Sequence, residues 1–164
     1  MEQKYIYSFS QIEDKVKALH ETNTEAAAAV APSWLGLSRD ELKTLRVSDY
    51  NSTMRMLHSA GRVVYVREDL IADMLKAICE EAPEYSMGFF ITDVNSAYEA
   101  AEKQELSPIS VLKMRYFYEK HSAKLSGEPE DRVFLKEILR SVGESEADME
   151  KQFAEYEKDA PEKI

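Results

Sequence analysis

Hydrophobic residues recur along most of this chain at the three- and four-residue spacing that is typical of amphipathic helices. The widest apolar stripe lies in residues 68–81, which predicts a helix central to the core that ends before Pro83. Its members are Leu70, Ile71, Met74, Leu75 and Ile78. The same spacing predicts further helices over 11–31, 93–103, 108–125, 129–142 and 146–158.

Capping signals place two helix boundaries clearly. Ser38 and Glu41 have the spacing of a capping box, in which each side chain bonds the other residue's backbone N–H, so a helix is expected to begin after Ser38. Ser107 followed by Pro108 predicts another start, because proline at the first helical position loses no hydrogen bond. Both boundaries depend only on neighbouring residues.

The N-terminal region leaves one alternative open. Ser10 and Glu13 repeat the capping-box spacing and predict a helix start. Residues 22–24 either lie within that helix or separate it from a second one, and Pro32 is expected to end the helical region. Ahead of it, residues 4–9 are aromatic and β-prone, which predicts a short edge strand.

Residues 36–67 are a basic stretch in an acidic chain. They contain six Lys or Arg and three Asp or Glu, whereas the whole chain has a formal charge of −10. Their pattern predicts a helix over 39–46, a turn, a helix over 49–60 ended by Gly61, and a strand over 62–66. This order is the outline of a winged helix-turn-helix.

That outline suggests DNA binding as an alternative function. A helix over 49–60 would present Asn51, Ser52 and Arg55 outward, and Asn and Arg are the side chains that read adenine and guanine in the major groove. The residues expected to meet phosphates are Arg39, Lys43, Arg46 and Arg62. Any soluble amphipathic helix has a polar outer face, however, and this simpler interpretation carries more weight.

These elements together predict a mainly α fold with about six or seven helices. Short strands are expected near 4–9, 62–66 and 87–91. With 164 residues and 44% hydrophobic content, the chain can bury one core without a metal or disulfide. We expect a single compact helical domain over 1–158 and a frayed tail over 159–164.

The sequence offers little support for catalysis. The five glycines are scattered, so there is no Gly-rich phosphate loop, and the three histidines lack metal-ligand spacing. Pairs of carboxylates at helical spacing are best explained as solvated charge. The single cysteine, Cys79, precedes two glutamates that disfavour a thiolate, and it suits a reducing cytoplasm. We expect no cofactor, no metal and no membrane association.

Four aromatic residues suggest a third interpretation, a small-molecule sensor or enzyme. Tyr85, Phe89, Phe90 and Tyr116 would line a pocket or an interface. The run 116–118 places large groups on both faces of its helix, because three consecutive residues sweep about 200° of a helix with roughly 3.6 residues per turn. A helix buried between two neighbours has the same pattern and is the simpler explanation.

The last helix carries one narrow apolar stripe. Met149, Phe153 and Tyr156 recur at helical spacing, and the other sides of this helix are mainly acidic. Such a stripe can dock on a partner as easily as on its own domain. These three residues are therefore the predicted protein interface.

A non-catalytic protein-interaction or regulatory domain is the function that the sequence favours. The adaptor, assembly-chaperone and anti-defence classes have this acidic, helical profile. The expected partner is another protein or a second copy of the chain. Nucleic acid is expected only under the helix-turn-helix alternative, which uses residues 38–66.

Overall fold

A computed structural model describes most of the chain, with short gaps. Its described residues form helices and a small antiparallel sheet packed as one compact chain, so the predicted mainly α class with short strands is confirmed. The predicted strand over 4–9, up to residue 8, and the predicted tail, from residue 160, lie outside these residues. The described ranges are 9–59, 61–81, 88–103 and 106–159.

The described residues contain eight α-helices and three strands. The helices are α1 (Phe9–Thr22), α2 (Thr24–Trp34), α3 (Arg39–Thr44), α4 (Asp69–Glu81), α5 (Val94–Lys103), α6 (Pro108–Ser126), α7 (Arg132–Val142) and α8 (Glu146–Asp159). The strands are β1 (Tyr50–Asn51), β2 (Met56–Ser59) and β3 (Arg62–Tyr65), and a 3₁₀ turn (Val47–Asp49) precedes β1. None of these helices is both long and apolar enough to cross a bilayer.

Helix α2 lies at the centre of the core. Residues 26–34 are all buried, and α2 contacts α1, α4, α5 and α6. Six of these nine residues are alanine or valine, whose small side chains let neighbouring helices approach closely. The helices that surround α2 therefore share one hydrophobic core.

The first helical region divides at Asn23, which settles the alternative left open above. The side chain of Asn23 accepts a hydrogen bond from the backbone N–H of Ala26 and caps α2. Pro32 does not end α2, which continues to Trp34, so that expected end is wrong by two residues. Proline removes one donor, but in the last turn its own carbonyl still accepts from Leu35.

The predicted helix over 49–60 is wrong, and β1, a turn and β2 occupy its place. The side chain of Asn51 accepts from the backbone N–H of Met54 at 3.0 Å, and Arg55 adopts a left-handed φ of 54°. Both features turn the chain back on itself. Strand β2 then pairs antiparallel with β3, in sheet order β1-β2-β3. Gly61, with a φ of 78°, lies in the hairpin turn instead of ending a helix.

The predicted strand over 87–91 is reduced to a single bridge in the part that the structure describes. Phe89 forms this bridge with Arg46. The backbone N–H of Phe90 donates to the carbonyl of Leu45 at 2.9 Å, and Val47 N–H donates to Gly88. The segment therefore ties the end of α3 to the start of α5 without a ladder.

The C-terminal helices agree with their predicted positions, with one shifted boundary. Ser107 caps α6 and Gly127 ends it in the left-handed conformation, as expected. Helix α7 begins at Arg132 and not at Pro129, because the side chain of Asp131 accepts from Phe134 N–H and supplies the cap. The edge of the sheet and the start of α7 come together at the candidate site.

Candidate docking site at the free edge of the sheet

Within the described part of the chain, strand β3 has one paired edge and one open edge. The backbone N–H of Val66 donates to the carbonyl of Arg55 at 2.9 Å, just beyond the β2–β3 ladder. Because hydrogen-bonded pairs alternate with non-bonded ones in antiparallel strands, Val64 also directs its N–H toward β2. Val63 and Tyr65 direct theirs away from it. Among the described residues, no hydrogen bond from outside the β2–β3 ladder reaches the backbone of Val63 or Tyr65.

The same two residues expose apolar side chains. Val63 is 44% exposed and Tyr65 is 64% exposed, and Val133 at the start of α7 is 76% exposed. Within the described residues only Met54 and Leu125 are comparable large apolar side chains on the surface. Single exposed apolar residues are ordinary, but a group of them around one concavity is typical of an interaction site.

A groove of about 250 Å³ separates β3 from α7, and we refer to it as the edge groove. All four residues of β3 line it, so it follows the edge of the strand and not one face of the sheet. Arg67 lies at the end of the strand. The other walls come from α6 and the start of α7, through Arg115, Glu119, Asp131, Val133, Phe134 and Glu137.

Arg62 fixes β3 in position. Its Nη2 lies 3.0 Å from a carboxylate oxygen of Glu41 on α3 and donates to the carbonyl of Gly36 at 3.2 Å. Its Nε lies 3.7 Å from Glu137 on α7. These contacts attach β3 to α3 and α7. They therefore fix the distance between β3 and α7, which is the width of the groove.

Glu41 is the most heavily bonded of these carboxylates. Burial opposes its ionisation, but hydrogen bonds from Ser59 and Arg62 and the charge of Arg62 outweigh burial and hold its pKa below the ordinary value. The same carboxylate accepts from the N–H of Ser38, which completes the predicted capping box. The start of α3 and the β2–β3 hairpin are therefore joined by one side chain.

Arg115 forms the floor of the groove and is only 8% exposed. Its Nη1 lies 3.3 Å from Glu68, and its Nη2 lies 2.8 Å from Glu119. Its guanidinium lies 5.0 Å from the ring centre of Phe134 and 4.9 Å from that of Trp34. With this many partners, Arg115 acts as a rigid support for the groove and not as an open cation.

Two charged residues that line the groove remain accessible. Arg67 is exposed and has no hydrogen bond or ion pair among the described residues. Asp131 is also exposed and uses one carboxylate oxygen to cap α7. The groove thus combines exposed apolar side chains and open backbone groups with one accessible positive and one accessible negative side chain.

The residues predicted to read DNA bases lie in β1 and in the turn between β1 and β2. Asn51 and Ser52 lie in β1 and the turn after it, and the side chain of Asn51 is used to close that turn. Arg55 lies 2.7 Å from Asp69 in an exposed ion pair. The surface helix that was to carry these three residues into a major groove is absent from this described segment.

The residues predicted to contact phosphates are also engaged within the chain. Arg39 stacks on Tyr98 and Arg46 stacks on Phe89, each with its guanidinium 4.3 Å from the ring centre. Lys43 lies 3.7 Å from the neighbouring Asp40. Arg62 is held by its carboxylate partners, as described above. A phosphate would have to compete with these contacts.

The stripe on α8 is covered by the chain itself. Met149, Phe153 and Tyr156 are buried, and Phe117 on α6 lies 6.1 Å from Phe153 and 5.3 Å from Tyr156 between ring centres. Periodicity correctly identified the apolar face of this helix. The surface expected to be open for a partner is instead part of the core.

The predicted aromatic pocket is distributed over different places. Tyr85 lies outside the described residues. Phe90 is buried, and Phe89 lines a shallow depression of about 220 Å³ beside Lys43. Tyr116 is buried between α6 and α8, where its hydroxyl donates to Glu150 at 3.1 Å. The described members of this set therefore pack in separate places and do not line one shared cavity.

Cys79 has the environment of a structural thiol. Burial, followed by the charge of Glu80, raises the pKa of this thiol to about 11. Its Sγ lies 3.7 Å from the carbonyl oxygen of Val47. In the described part of the chain, no group of three or more His, Cys, Asp or Glu is placed to hold a metal ion.

The key residues of the edge groove are ones that sequence reasoning did not select. A usable signal was present in part: within 62–66 the side chains alternate between two faces, so Val63 and Tyr65 share one. Val133 lies in the first turn of α7, and its exposure depends on how that helix packs. The approach of α7 to β3 has no local sequence signal.

Comparisons with known proteins do not assign this site. No protein-family model matches the chain, and no curated protein or solved structure matches it. Its function is therefore inferred from the edge groove, with its exposed apolar side chains and open backbone groups.

Proposed function

We propose that this chain is a non-catalytic protein-interaction domain whose docking surface is the edge groove, and that the groove receives a segment of another protein. The observation that carries the proposal is the position of Val63, Tyr65 and Val133. All three are exposed apolar residues, and they lie on both sides of one groove. Burial of such side chains is the main source of affinity at protein interfaces.

The surrounding charges support a protein partner over nucleic acid. Residues 36–67 carry +3, but the rest of the chain carries −13, which gives the formal charge of −10, and the arginines Arg62 and Arg115 in the groove are each held by carboxylates. Such a field repels a phosphate backbone. It also opposes association of two copies of this chain, so a different protein is the favoured partner.

Site-specific photo-cross-linking tests this proposal. The photo-reactive amino acid p-benzoylphenylalanine would replace Tyr65 or Val133, on the two sides of the groove, and in control proteins it would replace Met54 or Leu125. All four positions are exposed and apolar, so the controls match in chemistry and accessibility. The expected result is one adduct, with the same partner, from positions 65 and 133 and not from 54 or 125.

A second substitution shows whether the adduct depends on the groove. Val63→Asp places a charge among the apolar groups and should abolish the adduct from position 65 without changing the melting temperature appreciably, because Val63 is exposed. Equal adducts from all four positions, or adducts only between two copies of the chain, would contradict the proposal.

A further inference from the structure

The open edge of β3 specifies the backbone conformation of its occupant. Val63 and Tyr65 each present an N–H and a C=O that no described residue bonds, and they are two residues apart along the strand. An extended backbone repeats its own donors and acceptors at that interval, whereas a helix points its backbone groups along its axis. Strand addition to an exposed sheet edge is a known mode of peptide recognition.

The alternation of β3 specifies where the occupant needs an apolar side chain. Residues directly opposite each other on neighbouring strands point to the same face of a sheet. Val64 points to the half-buried face, where it packs against the hydrophobic core. A side chain opposite Val64 would therefore be shielded from water and should be apolar. The side chains of the two neighbouring residues of the occupant would lie beside Val63 and Tyr65 on the outer face of the sheet.

The charge of the chain specifies the sign of the occupant's charge. Residues 36–67, which include β3, carry +3 and the rest of the chain carries −13, so the formal charge of −10 attracts a cationic segment at long range and speeds its association. Within the groove, Asp131 is an accessible carboxylate at the α7 end, and the guanidinium groups of Arg62 and Arg115 are already paired. Arg67 is the accessible positive group and would suit a single acidic residue or a carbonyl of the segment.

We infer that the edge groove binds an extended, net-positive segment of a partner protein as a fourth strand on β3, with an apolar side chain opposite Val64. This inference rests on the proposed protein-interaction function and adds the chemistry of the partner. Since β3 contains four residues, the segment that pairs with it is about four to six residues long.

A displayed library of random peptides of about eight residues, selected on the whole immobilised protein, tests the inference. Peptides from the selection would be synthesised, and their dissociation constants would be measured by fluorescence polarisation. We expect net-positive sequences with an alternating apolar pattern and weaker binding at high salt. Methylation of single backbone nitrogens in the peptide should weaken binding about tenfold or more at every second position and little at the positions between.

Changes in the protein provide the complementary test. Val63→Pro removes one outward N–H and leaves the bonds to β2 intact, since proline is tolerated on the open side of an edge strand. It should weaken peptide binding about tenfold or more. Met54→Ala, which changes an exposed apolar residue that does not line the groove, should have no effect. If Val63→Pro fails to fold, the methylation series still decides the question on the unmodified protein.

The outcomes separate the inference from the function on which it rests. Some results would overturn the inference but leave the groove as a docking surface. In these, peptide binding would depend on Tyr65, but the peptides would bind as helices, carry a net negative charge or lack the every-second-position pattern. A library without binders, together with a groove-specific cross-linked partner, would also overturn the inference alone. No binders and no groove-specific adduct would remove both.

Discussion

The backbone N–H of Val66 donates to the carbonyl of Arg55 over 2.9 Å, and this bond sets the direction of the remaining N–H groups in β3. Val64 faces β2, whereas Val63 and Tyr65 face the edge groove. The most specific feature of the surface is therefore made by backbone groups, which any sequence of strand residues would supply. Side chains contribute the apolar character of the groove and its fixed walls.

Hydrogen exchange of the free protein should reveal this alternation. The amides of Val63 and Tyr65 have no bond among the described residues, so we expect them to exchange about a hundredfold faster than the amide of Val64. Exchange rates corrected for local sequence and measured by NMR would check this. Equal protection of all three amides would show that the outer edge of β3 is already occupied.

The ion pair between Arg62 and Glu41 should make stability depend on pH. The folded pKa of Glu41 is below its ordinary value of 4.5, so its contribution is present above that pH and is lost as the pH falls through the folded pKa. Glu41→Gln should lower the free energy of unfolding at pH 7 by about 1–3 kcal/mol. The deficit relative to the wild type should shrink in increasingly acidic solution.

Urea unfolding at a series of pH values would measure this effect, with Glu99→Gln as the control. Glu99 is exposed and has no ion pair among the described residues, so its substitution should change stability little at any pH. A deficit for Glu41→Gln that stayed constant with pH would argue against charge pairing as its cause.

The buried stripe on α8 should act as core and not as a docking surface. Phe153→Ala removes a ring that packs on Phe117, and we expect it to cost about 3–5 kcal/mol of folding stability. Lys151→Ala, on the exposed side of the same helix, should cost little. Thermal and chemical unfolding would compare the two. A small loss for Phe153→Ala would mean that α8 is weakly attached.

Duplex DNA should bind weakly and without dependence on Arg55. The guanidinium of Arg55 is paired with the exposed Asp69 at the start of α4, and the chain as a whole is acidic. We expect Arg55→Ala to leave any low-salt association with a random duplex unchanged, as measured by fluorescence anisotropy. Tight binding that fell steeply with salt and was lost in Arg55→Ala would restore the DNA-binding alternative.

Local signals in the sequence predicted the elements that depend on near neighbours. The capping box of Ser38 and Glu41 and the start of α6 at Pro108 both occur where expected, since each involves residues within one turn. The helix over 49–60 failed because pairing of β2 with β3 outweighed helical spacing. The spacing of hydrophobic residues along the chain reveals neither that pairing nor the left-handed backbone conformation of Arg55.

The docking site depends on contacts that are distant in sequence. Val63 and Val133 meet at one groove although 70 residues separate them, so no local pattern identifies it. Met149 illustrates a related limit, because periodicity shows which face of a helix is apolar but not which element covers it. The tertiary packing of α6, α7 and α8 decides both questions.

The amide signals of Val63 and Tyr65 in the presence of a bound partner segment test the central claim most directly. We expect both amides to become protected from exchange and to shift in NMR spectra, together with signals of Val133, while signals from Met54 and Leu125 stay unchanged. Protection at another surface, with Val63 and Tyr65 still exchanging freely, would contradict the assignment of the edge groove as the docking site.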